Sequence, residues 1–309
     1  MRYIVTGGAG FIGSHIAEHL ATNGHEVIIF DNLFTGKKEN IRHLITERGV
    51  SFVEGSVTDI QALKKIADDA DGIFHQGAIV SVPRSVKNPI ATNEANVQGT
   101  LNVLVAARDS GVKKVVFASS SSVYGDTPVL PKQEDMKPLP ISPYAVSKLS
   151  GEYYCRVFSS VYGLPTVCLR YFNVFGPRQD PTSEYAAVIP KFITKILRDQ
   201  PPVIYGDGEQ SRDFTFIGDV VQANWLAMER DVEGVFNIAY GKQHTLNELA
   251  STIMELAGKQ IEPIHEAART GDIRHSLADI SAARSRLGYS PAYTFRSGLQ
   301  ETVSWFRNQ

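Results

Sequence analysis

Cysteine is almost missing from this chain. Its 309 residues hold two, Cys155 and Cys168, without metal-ligand spacing and without a partner nearby in sequence. That argues against a disulfide framework or a metal centre, and both read as buried thiols in a reducing compartment. Long apolar runs are missing too: none approaches the roughly 18 residues that cross a bilayer. Gly7-Gly8 interrupts the short apolar run at the start, which speaks against a secretory signal. Neither sign of charge is in excess. Lys and Arg number 31 against 33 Asp and Glu, with no basic stripe or acidic tail, so nucleic-acid binding is disfavoured. There is no internal repeat, and the serines at 119–122 are too few to make a low-complexity segment. What remains is expected to be a soluble, cytoplasmic protein of about two domains, since one domain takes ~100–200 residues.

What is present begins at residue 2. A β-prone run reaches Thr6, and Gly7-Gly8-Ala9-Gly10-Phe11-Ile12-Gly13 follows. An amphipathic helix then runs to about Asn23, and Glu26-Val-Ile-Ile-Phe-Asp31 reads as a second buried strand. Strand, glycine turn, helix, strand and acid make the βαβ dinucleotide fingerprint. Gly7 and Gly10 let the backbone turn and approach a pyrophosphate, while Gly13 lets the helix pack close to the sheet. Amides at the helix start hold phosphates. Asp31, eighteen residues after Gly13, accepts bonds from a ribose hydroxyl pair and repels a 2′-phosphate, so NAD is favoured over NADP.

The alternation continues, with strands expected at 50–54, 72–76, 114–119 and 165–171 and helices at 59–67, 89–110 and 143–162. The fold class is α/β: a Rossmann-type doubly wound parallel sheet covered on both faces. Ligands of such sheets lie beyond the carboxyl ends of the strands. That rule selects His75-Gln-Gly-Ala78, the serines at 119–122 and Tyr171-Phe-Asn173. Beyond residue 173 the regularity breaks down. Helices are expected at 187–199, 219–230, 281–287 and from 295 to the end. Strands are expected at 203–205, 212–216 and 235–239, and Thr245-Leu-Asn-Glu248 is a capping box opening a helix to Ala257. The expected division is a cofactor domain over 1–173, rejoined by 217–241, and a smaller mixed substrate domain over 174–309.

Tyr144-Ala-Val-Ser-Lys148 places a tyrosine and a lysine on one helix face. A free phenol, with its pKa near ~10, is a poor base. A neighbouring ammonium stabilises the phenolate and lowers that value. Such a pair can take a proton from an alcohol undergoing oxidation.

With the opening glycine turn, the serines at 119–122 and this Tyr/Lys pair, the chain resembles the extended short-chain dehydrogenase/reductases, and among them the UDP-hexose 4-epimerases. Further matches are Asp31-Asn-Leu33, Asn96-Val-Gln-Gly-Thr100, the segment 169–177, Arg212-Asp-Phe and the segment from Arg269 to Asp279. The resemblance covers essentially the whole chain. Two positions depart from the family pattern: Ser56 stands where an acid often contacts adenine, and Gly77 where alanine is common.

The resemblance implies a catalytic triad of Ser120, Tyr144 and Lys148. It implies NAD contacts from Gly7, Gly10, Phe11, Ile12, Gly13, Asp31, Asn32, Val57, Gln76, Gly77, Ala78, Asn96, Ser119 and Tyr171, besides Tyr144 and Lys148. For a UDP-sugar it implies Asn173, Arg212 and Arg269 on the diphosphate and Val203 and Tyr205 on the uracil. Asp272 falls on the ribose, Ala187 and Val188 at the pocket edge, and Ser81 with Ser120 and Tyr144 toward the sugar. Related dehydratases and decarboxylases carry an acid after the catalytic serine, to act at C5. Ser121 and Ser122 are poor bases, which favours oxidation at C4 and its reversal: epimerisation through a transient 4-keto sugar. Ser276 stands at the family's sugar-pocket gate, where a small residue leaves room for an N-acetyl group. UDP-GlcNAc/UDP-GalNAc, with UDP-Glc/UDP-Gal as well, is therefore the expected substrate set. The alternatives are a UDP-glucose or UDP-glucuronate 4-epimerase, a net dehydrogenase that releases NADH and, from another class, a non-catalytic NAD-binding sensor. A homodimer is expected too, joined by a four-helix bundle of the helices at 89–110 and 143–162.

Overall fold

The computed structural model describes residues 1–182, 187–268 and 274–309. Its first half alternates strands and helices. In order these are β1 (Arg2–Thr6), α1 (Phe11–Thr22), β2 (Glu26–Asp31), α2 (Arg42–Arg48), β3 (Ser51–Glu54), α3 (Ile60–Ala67), β4 (Gly72–His75), α4 (Val82–Lys87), α5 (Pro89–Asn93), α6 (Gly99–Asp109), β5 (Lys114–Ser120), α7 (Pro143–Tyr162) and β6 (Thr166–Tyr171). The rest comprises β7 (Val174–Phe175), α8 (Val188–Leu197), β8 (Val203–Tyr205), β9 (Ser211–Arg212), β10 (Thr215–Phe216), α9 (Ile217–Glu229), β11 (Gly234–Ile238), β12 (His244–Thr245), α10 (Leu246–Ala257), β13 (Ile264–Glu266) and α11 (Phe295–Arg307).

Seven strands form one parallel sheet in the order β11-β6-β5-β4-β1-β2-β3. β1, β4, β5 and β6 are almost wholly buried, as helices on both faces require. The order reverses between β1 and β4, which opens a crevice at their carboxyl ends. On one face Leu63, Val103, Phe117 and Phe158 pack beneath α3, α6 and α7. On the other, Ile16, Leu20, Phe74 and Val220 pack between the sheet, α1 and α9, and this core continues into Phe192, Leu249 and Leu299 of the smaller C-terminal domain. Among the described residues that domain holds three two-stranded ribbons: β7 with β10, β9 with β12, and β8 with β13.

The helix expected over 89–110 is one rod with a π-helical turn at Glu94–Gln98 between α5 and α6. The strand expected over 212–216 is split. Asp213 between its halves is fully buried and accepts N–H groups from Tyr240, Gly241 and Ala278 at 3.0–3.2 Å, so the chain turns there and β9 and β10 join different ribbons. Short α2 and α4 were not expected; six- and seven-residue helices offer too little periodicity to read. Cys155 on α7 and Cys168 on β6 are both buried, free thiols.

Candidate active site

β1 runs into a turn in which Gly7 has φ +66°. A Cβ at Gly7 would lie 2.7 Å from the Gly77 amide nitrogen, and one at Gly13 would lie 2.2 Å from the Gly7 carbonyl oxygen. Only glycine permits α1 to begin this close to β1 and β4. No side chain caps α1, so its first amides are left for a ligand. Asp31 ends β2 with its carboxylate accepting the amides of Ala9 (3.0 Å) and Leu33 (2.7 Å). Burial pushes this acid up, and those two amides pull it back.

Every residue expected to touch NAD, except Asn96, lines one crevice of about 410 Å³. Asn96 is buried behind the wall, where its side chain bonds both backbone polar groups of Ile79 and the Ser147 hydroxyl. It shapes the loop after β4 from the π-helical turn, a distortion frequent at functional sites. Ser56 lines the crevice, but its hydroxyl is engaged with Thr58 in its own turn. The uncapped helix start, the glycine cradle and the acid at the end of β2 together fit NAD.

The serines at the end of β5 meet α7 at the other end of the crevice. α7 starts where it does because Ser142 caps it, accepting the Ala145 N–H at 3.1 Å, and Pro143 opens its first turn. Ser85, fully buried, accepts the Tyr144 N–H at 3.1 Å and so ties this start to α4. The Lys148 ammonium donates to the Ala118 carbonyl at 2.8 Å and lies 5.9 Å from the centre of the Tyr144 ring. Burial lowers Lys148 to about 8, which leaves it mostly charged near neutrality. The Ser120 hydroxyl stands on the phenol side of Tyr144; burial raises the phenol and this polar neighbour pulls it back. In the polypeptide alone the net shift is upward, not the lowering expected beside a lysine, because burial of the phenol dominates. Ser120 also accepts the Ser122 N–H at 3.2 Å.

A second cavity, about 400 Å³, adjoins the first at Asn173, which lines both. Asn173 holds φ +36° and donates its amide to the Asp213 carbonyl at 3.1 Å. Ala187, Val188, Val203, Tyr205 and Arg212 all line this second cavity. Ser81 lines neither; its hydroxyl caps α4, accepting the Arg84 N–H at 3.2 Å. Ser276 is half-buried, and its N–H donates to the Ser211 carbonyl at 3.1 Å, so its backbone runs beside Arg212 without lining either cavity. Arg269 and Asp272 lie outside the described residues.

Residues 3–239 match the family model "NAD dependent epimerase/dehydratase family". The chain belongs to this family. NAD is therefore its cofactor. A putative UDP-glucose 4-epimerase of Methanocaldococcus jannaschii is 42% identical over 307 residues, covering 99% of this chain and 98% of that one. Among solved structures, a UDP-N-acetylglucosamine 4-epimerase from Methanobrevibacter ruminantium, in complex with UDP-N-acetylmuramic acid, is 46% identical, with TM-score 0.95 and coverage of 99% and 97%. The UDP-glucose 4-epimerase of Thermus thermophilus, in complex with NAD, is 39% identical, with TM-score 0.89 and 99% coverage of both chains.

Several residues at the site carry no legible sequence signal. Asn224 of α9 is buried against the Tyr171 hydroxyl (2.8 Å) and Gln76 (3.2 Å), fixing the floor of the cofactor crevice. Lys191 and Lys195, one turn apart on α8, add positive charge to the second cavity. Arg178, at φ +65°, reaches Glu18 at 2.5 Å and Ser14 at 3.4 Å on α1, beside the glycine turn.

Proposed function

We propose that this NAD-dependent UDP-sugar 4-epimerase interconverts UDP-GlcNAc and UDP-GalNAc, and UDP-Glc and UDP-Gal as well. The observation that carries the reading is Asn173. It joins a crevice ending at Ser120, Tyr144 and Lys148 to a cavity lined by Tyr205 and Arg212, as a sugar on a nucleoside diphosphate requires. Arg212 suits a diphosphate, and Tyr205 offers an aromatic face to a base.

NAD, when bound, supplies the two-electron oxidant and gives the electrons back. Tyr144 takes the proton of the C4 hydroxyl and later returns one. Ser120 bonds the reacting oxygen and keeps it near the phenol. The Lys148 ammonium, held at Ala118, stabilises the phenolate once charge develops on Tyr144. Ser121 and Ser122 offer no base for C5, which restricts the chemistry to C4. The 4-keto sugar turns about its link to the diphosphate while Asn173 and Arg212 keep hold of the nucleotide. We assign the cofactor side of this work to residues 1–173 with 217–241, and the nucleotide side to the rest of the C-terminal half.

The N-acetylated pair is favoured by Ser276, a small residue beside Arg212, and by likeness to the M. ruminantium enzyme named for UDP-GlcNAc. A Ser276→Tyr variant should lose turnover of UDP-GlcNAc by at least tenfold and keep that of UDP-Glc. Paired rates on the two substrates decide it, and equal loss of both would sink the assignment. UDP-glucose alone is the second reading, supported by the name of the M. jannaschii relative.

The enzyme is further proposed to be a cytoplasmic homodimer. Val86, Ile90, Val146, Tyr153, Val157 and Val161 leave an exposed apolar face on α4, α5 and α7, which suits a four-helix bundle between two copies. Among the described residues no helix is long and apolar enough to cross a membrane.

A further inference from the structure

Three consecutive residues of β5 are engaged by three successive turns of one face of α7. Ser120 faces Tyr144, the Ala118 carbonyl accepts from Lys148, and Ser119 donates to Glu152 at 2.5 Å. The third engagement is the unusual one. Glu152 and Arg170 are both at least 95% buried, and the guanidinium clasps the carboxylate through two bonds of 2.8 Å. Ser119 and Arg170 are register partners on adjacent strands, so a cross-strand pair converges on one helix side chain. Between Lys148 and Glu152, Gly151 lets α7 sit against Phe117: a Cβ there would come within 2.4 Å of that ring. Apolar contact therefore sets how close α7 lies to β5. It does little to stop the helix sliding or rolling, because such contact is non-directional.

We propose that the Ser119–Glu152–Arg170 cluster is a positioning device that fixes α7 along β5 and β6, and so holds Tyr144 and Lys148 at Ser120 and Ala118. Glu152 is two turns beyond Tyr144 on the same face, far enough to touch no substrate and near enough that a shift of one carries the other. A buried ion pair is weak evidence for stability, since well-packed apolar residues often replace one without loss. A bidentate guanidinium–carboxylate pair, by contrast, has a fixed geometry. The cluster thus serves geometry. This inference rests on the reading of Tyr144 as the acid–base group.

The test is a Glu152→Met/Arg170→Met double variant, chosen to keep the volume filled. Its melting temperature, NAD content and KM are expected to stay near wild type. kcat is expected to fall about 10–100-fold, since misplacement by about 1 Å costs this much. The titration of Tyr144, read as tyrosinate absorbance against a Tyr144→Phe counterpart in the same background, should move upward as the phenol and Ser120 draw apart. A folded double variant with wild-type kcat and an unmoved titration overturns the proposal. Should that variant fail to fold, Arg170→Lys decides. It keeps a buried charge pair without the two-bond geometry and is expected to lose about threefold in kcat at unchanged KM and NAD content; wild-type kcat there overturns the proposal equally. The titration needs no substrate. If the wild type turns over no UDP-sugar, the functional reading fails while the positioning claim is still decided by the titration.

Discussion

A Tyr144→Phe protein should retain its NAD and its KM for the UDP-sugar within about twofold while kcat falls by about 10²–10⁴-fold, the range that general acid–base groups contribute. The substitution removes one oxygen and leaves a ring of the same shape, so the half-buried packing at the start of α7 survives. What goes is the proposed proton acceptor beside Ser120. No neighbouring group takes its place: Ser121 and Ser122 are poor bases, and the Lys148 ammonium is committed to the Ala118 carbonyl. The protein holds this phenol above its ordinary pKa through burial. Its work as a base is therefore expected to depend on positive charge arriving with the cofactor, which predicts that reaction and cofactor occupancy are inseparable. Steady-state kinetics on both proteins, with NAD content measured in parallel, check the prediction. A variant as fast as wild type would remove Tyr144 from the mechanism.

Gly13→Ala should be almost as damaging, by a different route. The added methyl would lie 2.2 Å from the Gly7 carbonyl oxygen, a backbone atom that cannot swing aside. α1 would have to withdraw from the turn, carrying its free amides away from where the cofactor's phosphates are proposed to sit. Bound NAD should fall at least 100-fold, and the fold should lose about 1–3 kcal/mol, as overpacking commonly costs. Gly10→Ala is the contrasting case. Its methyl meets the Gly7 oxygen at 3.1 Å, so the apoprotein should lose little stability. Calorimetric NAD binding and thermal melts of the two apoproteins separate the cases. Equal melts for the two variants would contradict the account of why Gly13 is glycine.

Much of this site was legible because its chemistry is local in sequence. The glycine turn, Asp31 and the Tyr144/Lys148 pair each depend on spacings along one element, and the strand-end rule placed them at one crevice. Pairings that close only in three dimensions were not legible. Asp213 reads as the neighbour of an arginine, yet it is fully buried and gathers N–H groups from residues 240, 241 and 278. Burial raises its carboxyl to about 7, against those donors. Asn96 belongs to a motif that resembles a cofactor contact, but its carboxamide is consumed in holding Ile79. Ser81 caps a helix too short for its periodicity to be read. In each case the side chain's partner lies many residues away or in an element with no pattern of its own.

The central claim is redox-neutral inversion at C4 by a retained cofactor, and one incubation tests it most directly. Purified protein, given UDP-GlcNAc with no NAD added, should form UDP-GalNAc until the two sugars reach a fixed ratio, approached equally from either side, with no build-up of NADH. Release of a 4-keto sugar with accumulating NADH would contradict it, as would the absence of any C4 epimer from both UDP-GlcNAc and UDP-Glc.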